Sequence, residues 1–525
     1  MNKPLLGSLV AATLLLGNAS AATMFERFVS MEKEMKKLQK ELAELKAAKG
    51  PASRGGADED EGDDEADEKE GYSEDEADDD EDGINVNEAI EELQESVEEL
   101  TKATSGNHLK LGVDFRTSFD DVNYKMADGS NAENDGIFTN RLWINMDWAA
   151  NENISFTGQL AYNKQYGQRF GASNTANGSL EGFDWITNEN ANDDTLRVRS
   201  AYFFYRDDSF LGSDIPWTFS LGRRPSTNGH LINLRDDDPA ASPSGHAINV
   251  EFDGVSSKFG LEKLTGVTGM YVKLCGGRGA SNASPRFNNT PYSSTASDNA
   301  NIDMAGLIFV PYNNGQYSVG SMFYRAKNLI DLNNPSNQTG GFRTVGSLDS
   351  ASAYAMVNGI GNEWSDYLDD STFFISGAMS KTDPDAGQSM LGSTQSETGY
   401  SYWAGLNMPS LVSEEGRWGV EFNHGSKFWR SITYGEDTMI GSKVAARGDA
   451  YEVYFTEPLL DDIFTLQVRY TYIDYDYAGS NGFFGGTANG AIGTGTPFEI
   501  SGAMGNPGSY VDKAQNIRVY LRYRY

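Results

Sequence analysis

In the last four-fifths of the chain, apolar residues recur at every second position, the period of a β-strand with two unlike faces. Leu109, Leu111, Val113 and Phe115 alternate with Lys110, Asp114 and Arg116, and Leu142, Ile144, Met146 and Trp148 alternate with Arg141, Asn145 and Asp147. The chain ends on Ile517, Val519, Leu521, Tyr523 and Tyr525, set against Arg518, Tyr520, Arg522 and Arg524. Alternation alone does not say which face meets water.

The polar stretches between these strands sort by length. Short connections fall near 149–153, 208–215, 261–267, 312–315, 359–370, 408–415 and 457–462; long ones occupy 120–137, 165–194, 224–246, 276–301, 328–350, 382–399, 426–448 and 476–513. Long and short alternate throughout, beginning and ending on a long one. Eight long and seven short connections imply sixteen strands, with 14–18 the range that boundary placement allows; the strand near 351–358 is the least marked. Short turns at one end and long loops at the other are the habit of transmembrane antiparallel β-barrels. In hydrocarbon only closure satisfies every strand's backbone groups, and a barrel of this size is wider than its own side chains can fill. Rings such as Trp143, Trp148, Phe203, Trp217, Trp403, Trp418 and Tyr470 flank the strands, where girdles at the headgroup level are expected.

The first hundred residues follow another rhythm. Lys3, an apolar run from Leu5 to Leu16 and Ala19-Ser20-Ala21 predict an export signal over 1–21, cleaved after Ala21. Met24, Phe28, Met31, Met35, Leu38, Leu42 and Leu45 form a heptad seam, so 22–49 is expected to be a coiled-coil helix. Val86, Ile90, Leu93, Val97 and Leu100 repeat that spacing in a shorter helix over 85–105. Between them lies an acidic, disordered linker, 50–84, in which Asp58 to Asp82 holds 18 carboxylates and the single Lys69. The barrel is assigned to 106–525. The seams suggest self-association, a homotrimer being the expectation, with contact to peptidoglycan or a periplasmic partner through 22–105.

Composition narrows the chemistry. Mean hydropathy is −0.51, and 57 Gly and 12% aromatic residues suit strands joined by polar loops. Cys275 is the only cysteine, which leaves neither a disulfide nor a Cys-ligated metal site, and no cofactor or nucleic-acid partner is indicated. The net charge of −34, about half of it in the acidic linker and the rest spread through loops such as Asp207, Asp208, Asp461 and Asp462, predicts mild cation preference in a pore. Lumen arginines such as Arg197, Arg199, Arg469 and Arg518 would act the other way.

One long connection differs from the rest. It gathers Arg223, Arg224 and Arg235 with Asp236, Asp237 and Asp238, stiffened by Pro225, Pro239 and Pro243. It follows the fifth strand and so resembles the loop of general diffusion porins that folds inward and narrows the lumen. That resemblance implies a charged constriction made by these six residues. GRRPST, LRDDDP, SPSG and VEFDG, from Gly222 to Gly254, resemble an uncharacterised family of outer-membrane porins, large barrels preceded by a signal and a short coiled coil. The N-terminal coiled coil is also similar to that of sugar-specific trimeric porins, although the acidic insert departs from both patterns. Ile517, Val519, Leu521, Tyr523 and Tyr525 resemble the terminal signal that barrel-assembly machinery reads. Passive diffusion of small hydrophilic solutes or ions through a Gram-negative outer membrane is therefore the expected role, in contact with outer-membrane lipid.

Two other classes remain in view. A barrel can instead anchor a stalk or act as an adhesin. A hydrolase would need one of His108, His230, His246 or His424, yet neither a G-x-S-x-G elbow nor an H-E-x-x-H pair is present, so no catalytic residue is assigned. A loop metal site from His230, His246 and Asp236 is a minor alternative to having no metal.

Overall fold

A computed structural model describes residues 109–167, 189–191, 195–224, 229–281, 301–334, 339–361, 364–433, 436, 438–460, 463–480, 482–484, 496–502 and 507–525. The signal, both seams and the acidic linker lie outside the described residues, as do His108, Pro225, Asp461 and Asp462.

Sixteen antiparallel strands form one closed barrel. They are β1 (Lys110–Met126), β2 (Asn131–Ala149), β3 (Ile154–Gln165), β4 (Arg197–Asp207), β5 (Trp217–Arg224), β6 (Phe252–Gly260), β7 (Tyr271–Ser281) and β8 (Asn301–Asn313), followed by β9 (Tyr317–Asn334), β10 (Thr339–Asn358), β11 (Thr372–Pro384), β12 (Thr398–Pro409), β13 (Arg417–Gly425), β14 (Gly448–Leu460), β15 (Phe464–Tyr475) and β16 (Val511–Arg524). Each pairs with its neighbours in sequence. The ring closes where β16 meets β1, in register from Asp114 opposite Arg524 to Met126 opposite Val511. Tyr525 completes the seam, its amide and carbonyl bonded to Val113 at 2.9 and 2.7 Å.

Burial answers the question that alternation leaves open. On β16, Ile517 and Leu521 are 45% and 48% exposed, whereas Arg518 and Arg522 are 1% and 3%. The apolar face looks outward and the cationic face inward. The same holds around the ring, with Leu111, Phe203, Leu274, Phe323, Ile375, Val420 and Val468 exposed on the exterior. A shell of this kind suits hydrocarbon, and water would penalise it. Above the apolar band, outward positions of five successive strands alternate in sign, Arg223, Asp253, Arg278, Asp303 and Lys327 standing opposite one another in register.

Two expected long connections are mostly strand. β1 and β2 continue through 120–137 and are joined over 127–130, and β9 and β10 continue through 328–350 and are joined over 335–338. The weakly marked strand near 351–358 is the end of β10, whose 20 residues make it one of the longest. The reason is physical: in these hairpins polar stretches and bulges, as at Asp120/Val122 and Ala326/Leu329, break the simple alternation while strand pairing continues. Some rings expected in girdles also point inward. Trp143 lies buried under Arg141 and Arg199, 3.5 and 4.3 Å from their guanidinium carbons, and Trp403 is fully buried, while Trp148 and Trp418 do face outward.

The described parts of three connections, within 229–251, 426–447 and 476–502, turn into the barrel. Ile248 and Asn249 pair in parallel with Ile432 and Thr433, joining the first two. The Arg430 guanidinium donates to the carbonyls of Ser480 and Gly482, and that of Arg447 to Ala478 at 3.0 Å, tying in the third. Ile248, Ile432, Phe483 and Phe484 then pack on inward residues of β8 to β10, including Ile308, Val310, Met322 and Leu348. The barrel thus holds an apolar core on part of its inner wall.

Candidate functional site: the lumen and the loop that crosses it

The connection that runs to Glu251 leaves the wall beside a glycine where any side chain would be strained. Gly222 has φ +135°, and a Cβ there would stand 2.3 Å from the Ala201 carbonyl oxygen. Next, Arg223 points to the rim, bonded to Glu251 at 2.5 Å and to Asp253 at 3.5 Å. Arg224 points into the lumen, its guanidinium carbon 4.4 Å from the Tyr202 ring centre and hydrogen-bonded to Ser220.

From there the chain reaches the far wall. Leu231 and Ile232 are buried with Phe374 of β11 and Trp403 of β12. They precede the single turn α1 (Asn233–Asp236), which carries the charged run along β14 to β16. Arg235 sits 3.3 Å from Glu436 and 3.5 Å from Glu452, and its carbonyl accepts from Gln467 at 2.8 Å. Asp238 meets Arg522 at 2.8 Å, Asp237 meets Arg524 at 3.6 Å, and Asp236 accepts from the Tyr520 hydroxyl at 3.4 Å. In a ring of sixteen, β13 stands opposite β5, so these contacts carry the loop across the bore.

The six residues expected at one constriction therefore divide. Arg223 and Arg224 stay where the loop begins, while Arg235, Asp236, Asp237 and Asp238 are carried together to the opposite wall. Aspartates and arginines there do meet, but the arginines that bind Asp237 and Asp238 belong to β16.

Beneath α1 lies a charge cluster that the sequence reading missed. Lys443, from the connection 426–447, contacts Glu421 at 2.7 Å, Glu436 at 3.9 Å and also Glu452, with Arg469 4.0 Å from Glu452. Three carboxylates face Arg235, Lys443 and Arg469, so charge balances among side chains that are almost fully buried. Burial alone would lower the pKa of Arg235, but Asp236, Glu452 and Glu436 overcome it and hold it well above the ordinary value. Lys443 is raised against the same burial penalty by Glu421 and Glu452. The trace of this cluster in the sequence is a pair of glutamates, Glu421 and Glu452, each flanked on both sides by apolar or aromatic residues of its strand, Val420 and Phe422, Tyr451 and Val453.

Two of the histidines, His246 and His230, are buried, while His424 is partly exposed and meets Asp449 at 2.7 Å. Fully buried His246 bonds Ser376 of β11 through Nδ1 and Ser401 of β12 through Nε2, both at 2.9 Å, with Trp403 and Trp429 edge-on to its ring. Burial pushes its pKa down to about 3, and that of His230, packed 4.4 Å from the Tyr354 ring, to about 4. His246 spends both ring nitrogens on serines and Asp236 lies with Arg235 and Tyr520, so His230, His246 and Asp236 do not share a site. Among the described residues no group of three or more His, Cys, Asp or Glu side chains is placed to hold a metal ion.

The near wall is different. Inward residues of β2 to β7 such as Asn145, Thr157, Tyr202, Thr218, Lys258 and Lys273 remain partly exposed. Residues at the same level on β13 to β16 are sealed beneath the loop. At the C-terminus Ile517, Val519, Leu521, Tyr523 and Tyr525 share the outward face of the closing strand.

The family described as Protein of unknown function (DUF3373) matches residues 131–525. No curated protein matches the chain. Several solved barrels are similar over most of their length. OmpF of Salmonella typhi, in complex with daunomycin, is 12% identical with a TM-score of 0.42, covering 80% of this chain and 99% of its own. The anion-selective porin from Comamonas acidovorans is 11% identical at 0.42, covering 80% and 100%. OmpT of Vibrio cholerae in its trimer form is 12% identical at 0.39, covering 79% and 99%. The chain's own unbroken strand ladder, rather than these likenesses, establishes the barrel.

Proposed function

We infer a diffusion pore from one premise and one geometry: the chain belongs to the DUF3373 family, whose description assigns no activity, and its barrel is spanned by a loop that covers only part of the inner wall. It sits in an outer membrane and passes small hydrophilic solutes or ions. The loop 223–246 sets selectivity, by the width it leaves and by the wall it leaves bare. The observation that carries this reading is the partly exposed polar face of β2 to β7 inside a ring of sixteen strands, too many for side chains alone to fill.

In this account Ile517, Val519, Leu521, Tyr523 and Tyr525 serve twice, as the barrel-assembly signal and as the lipid-facing side of the closing strand. The heptad seams at 24–45 and 86–100 support a homotrimer with a periplasmic stalk behind an export signal. No residue is assigned a catalytic role.

A second reading draws support from the apolar core of Ile248, Ile432, Phe483 and Phe484, which fills part of the barrel. A barrel closed in this way would be an anchor for the stalk. Single-channel recording of the purified full chain in planar bilayers separates the two. Steady conductance steps are expected from the pore, and a correctly folded but silent barrel would leave only the anchor.

A further inference from the structure

Cations that point into the lumen mostly meet acids. Arg141 and Arg522 share Asp114, Arg518 meets Asp120, Arg199 meets Glu189, and Arg235 and Lys443 meet glutamates. Arg224, Lys258 and Lys273 depart from this pattern. They project from β5, β6 and β7, and no described carboxylate acts on any of them.

Their arrangement is unfavourable as it stands. Lys258 and Lys273 are direct cross-strand partners, and like charges so placed repel. Arg224 lies close enough to add to the repulsion at Lys273. The polar contacts are with neutral groups: Arg224 with Ser220, and Lys273 with Ser242 of the loop at 2.6 Å. Two rings share the same face, Tyr271 with its centre 4.0 Å from the Lys258 ammonium and Tyr202 under Arg224. Ser220 and Ser256 add a bonded hydroxyl pair at 2.8 Å on the neighbouring rung. All three cations keep partial access to the lumen.

We propose that Arg224, Lys258 and Lys273 form a binding site for a small polyvalent oxyanion, phosphate- or carboxylate-bearing, on the bare wall of the pore; the proposal rests on the pore reading above. Two cross-strand ammonium groups, with one guanidinium within electrostatic reach of Lys273, line the wall where an anion would turn mutual repulsion into charge-assisted hydrogen bonds. The aromatic faces hold the cations in place without neutralising them. Local selection is then opposite in sign to the cation preference that the acidic composition suggests, because described lumen acids such as Asp114, Asp120, Glu421 and Glu452 are already held in ion pairs.

The test uses the full chain in planar bilayers in KCl, with inorganic pyrophosphate added in one series and citrate in another. Saturable loss of current is expected with one or both, which tells the phosphate class from the carboxylate class. The Lys258→Gln/Lys273→Gln double variant should need about tenfold more anion for the same loss. Lys258→Arg/Lys273→Arg should retain the block, and Arg278→Gln, on the outward face of β7, should not alter it. Open steps that neither anion affects, or a block equal in the double variant, would overturn the site while leaving the pore intact. A wild-type chain without steps would sink the pore instead. Calorimetry of pyrophosphate and citrate with the detergent-solubilised barrel then decides the site alone: heat lost in the double variant supports it, and no heat with either anion in the wild type overturns it.

Discussion

The two sides of the lumen are built from the same alternating strands and end in opposite states. Along β13 to β16 and β1, inward Asp114, Asp120, Glu421, Glu452, Arg469, Arg518 and Arg522 are buried and form ion pairs with one another or with the inward-turned connections. Along β3 to β7, inward Thr157, Tyr202, Thr218, Lys258 and Lys273 stay partly exposed, and no described carboxylate acts on Arg224, Lys258 or Lys273. On the first side charge fastens one part of the protein to another, and on the second it is free to act on what passes. Counting lumen charges therefore says little about selectivity until the covered ones are set aside.

The comparison breaks most visibly at the buried cluster. Lys443→Met leaves Glu421, Glu436 and Glu452 short of a cation in a buried site, and removal of one partner from such a network costs about 3–5 kcal/mol. A lower urea midpoint for the barrel is expected, with larger single-channel conductance as the loop lifts from β14 to β16. A midpoint and conductance equal to wild type would mean that the cluster does not hold the loop.

Acid should loosen the same side by a smaller amount. Burial holds His246 and His230 at about 3 and about 4 while docked, whereas a released imidazole returns to about 6.5. The released state then binds more protons, so docking is at full strength above pH about 6.5 and weakens as pH falls toward those values. At pH 5 the loss is about 2 kcal/mol for each histidine. Limited proteolysis of the loop should quicken from pH 7 to 5, and His246→Gln, which can still bridge Ser376 and Ser401, should flatten that dependence.

Much of the fold was legible because period-two alternation and the ordering of connection lengths both report barrel geometry directly. Strand number followed from them, and so did the position of the crossing loop after the fifth strand. What could not be read was which polar residues lie in strands: in the upper parts of β1, β2, β9 and β10 polar stretches and bulges break the alternation, so they look like loop. Nor could partners be assigned. Asp237 and Asp238 stand beside Arg235 in sequence but pair with Arg522 and Arg524, nearly three hundred residues away. Lys443 and Glu452 come together only because a second connection also turns inward.

Two smaller changes sharpen the contrast. Gly222→Ala forces a Cβ against the Ala201 carbonyl at the point where the loop departs, and should cost about 1–2 kcal/mol in the same urea assay. Arg278→Gln, in the exposed ion pair with Asp303 on the outer rim, should change stability by no more than about 0.5 kcal/mol and leave conductance alone.

The most direct test of an uncovered wall facing a covered one is thiol access from within the pore. In a Cys275→Ser background, Thr157→Cys on β3 and Gln467→Cys on β15 place one thiol on each side, and a water-soluble methanethiosulfonate is added while current is recorded. The account predicts a rapid fall in conductance for Thr157→Cys and none for Gln467→Cys. Rapid block through position 467 with position 157 inert would contradict it.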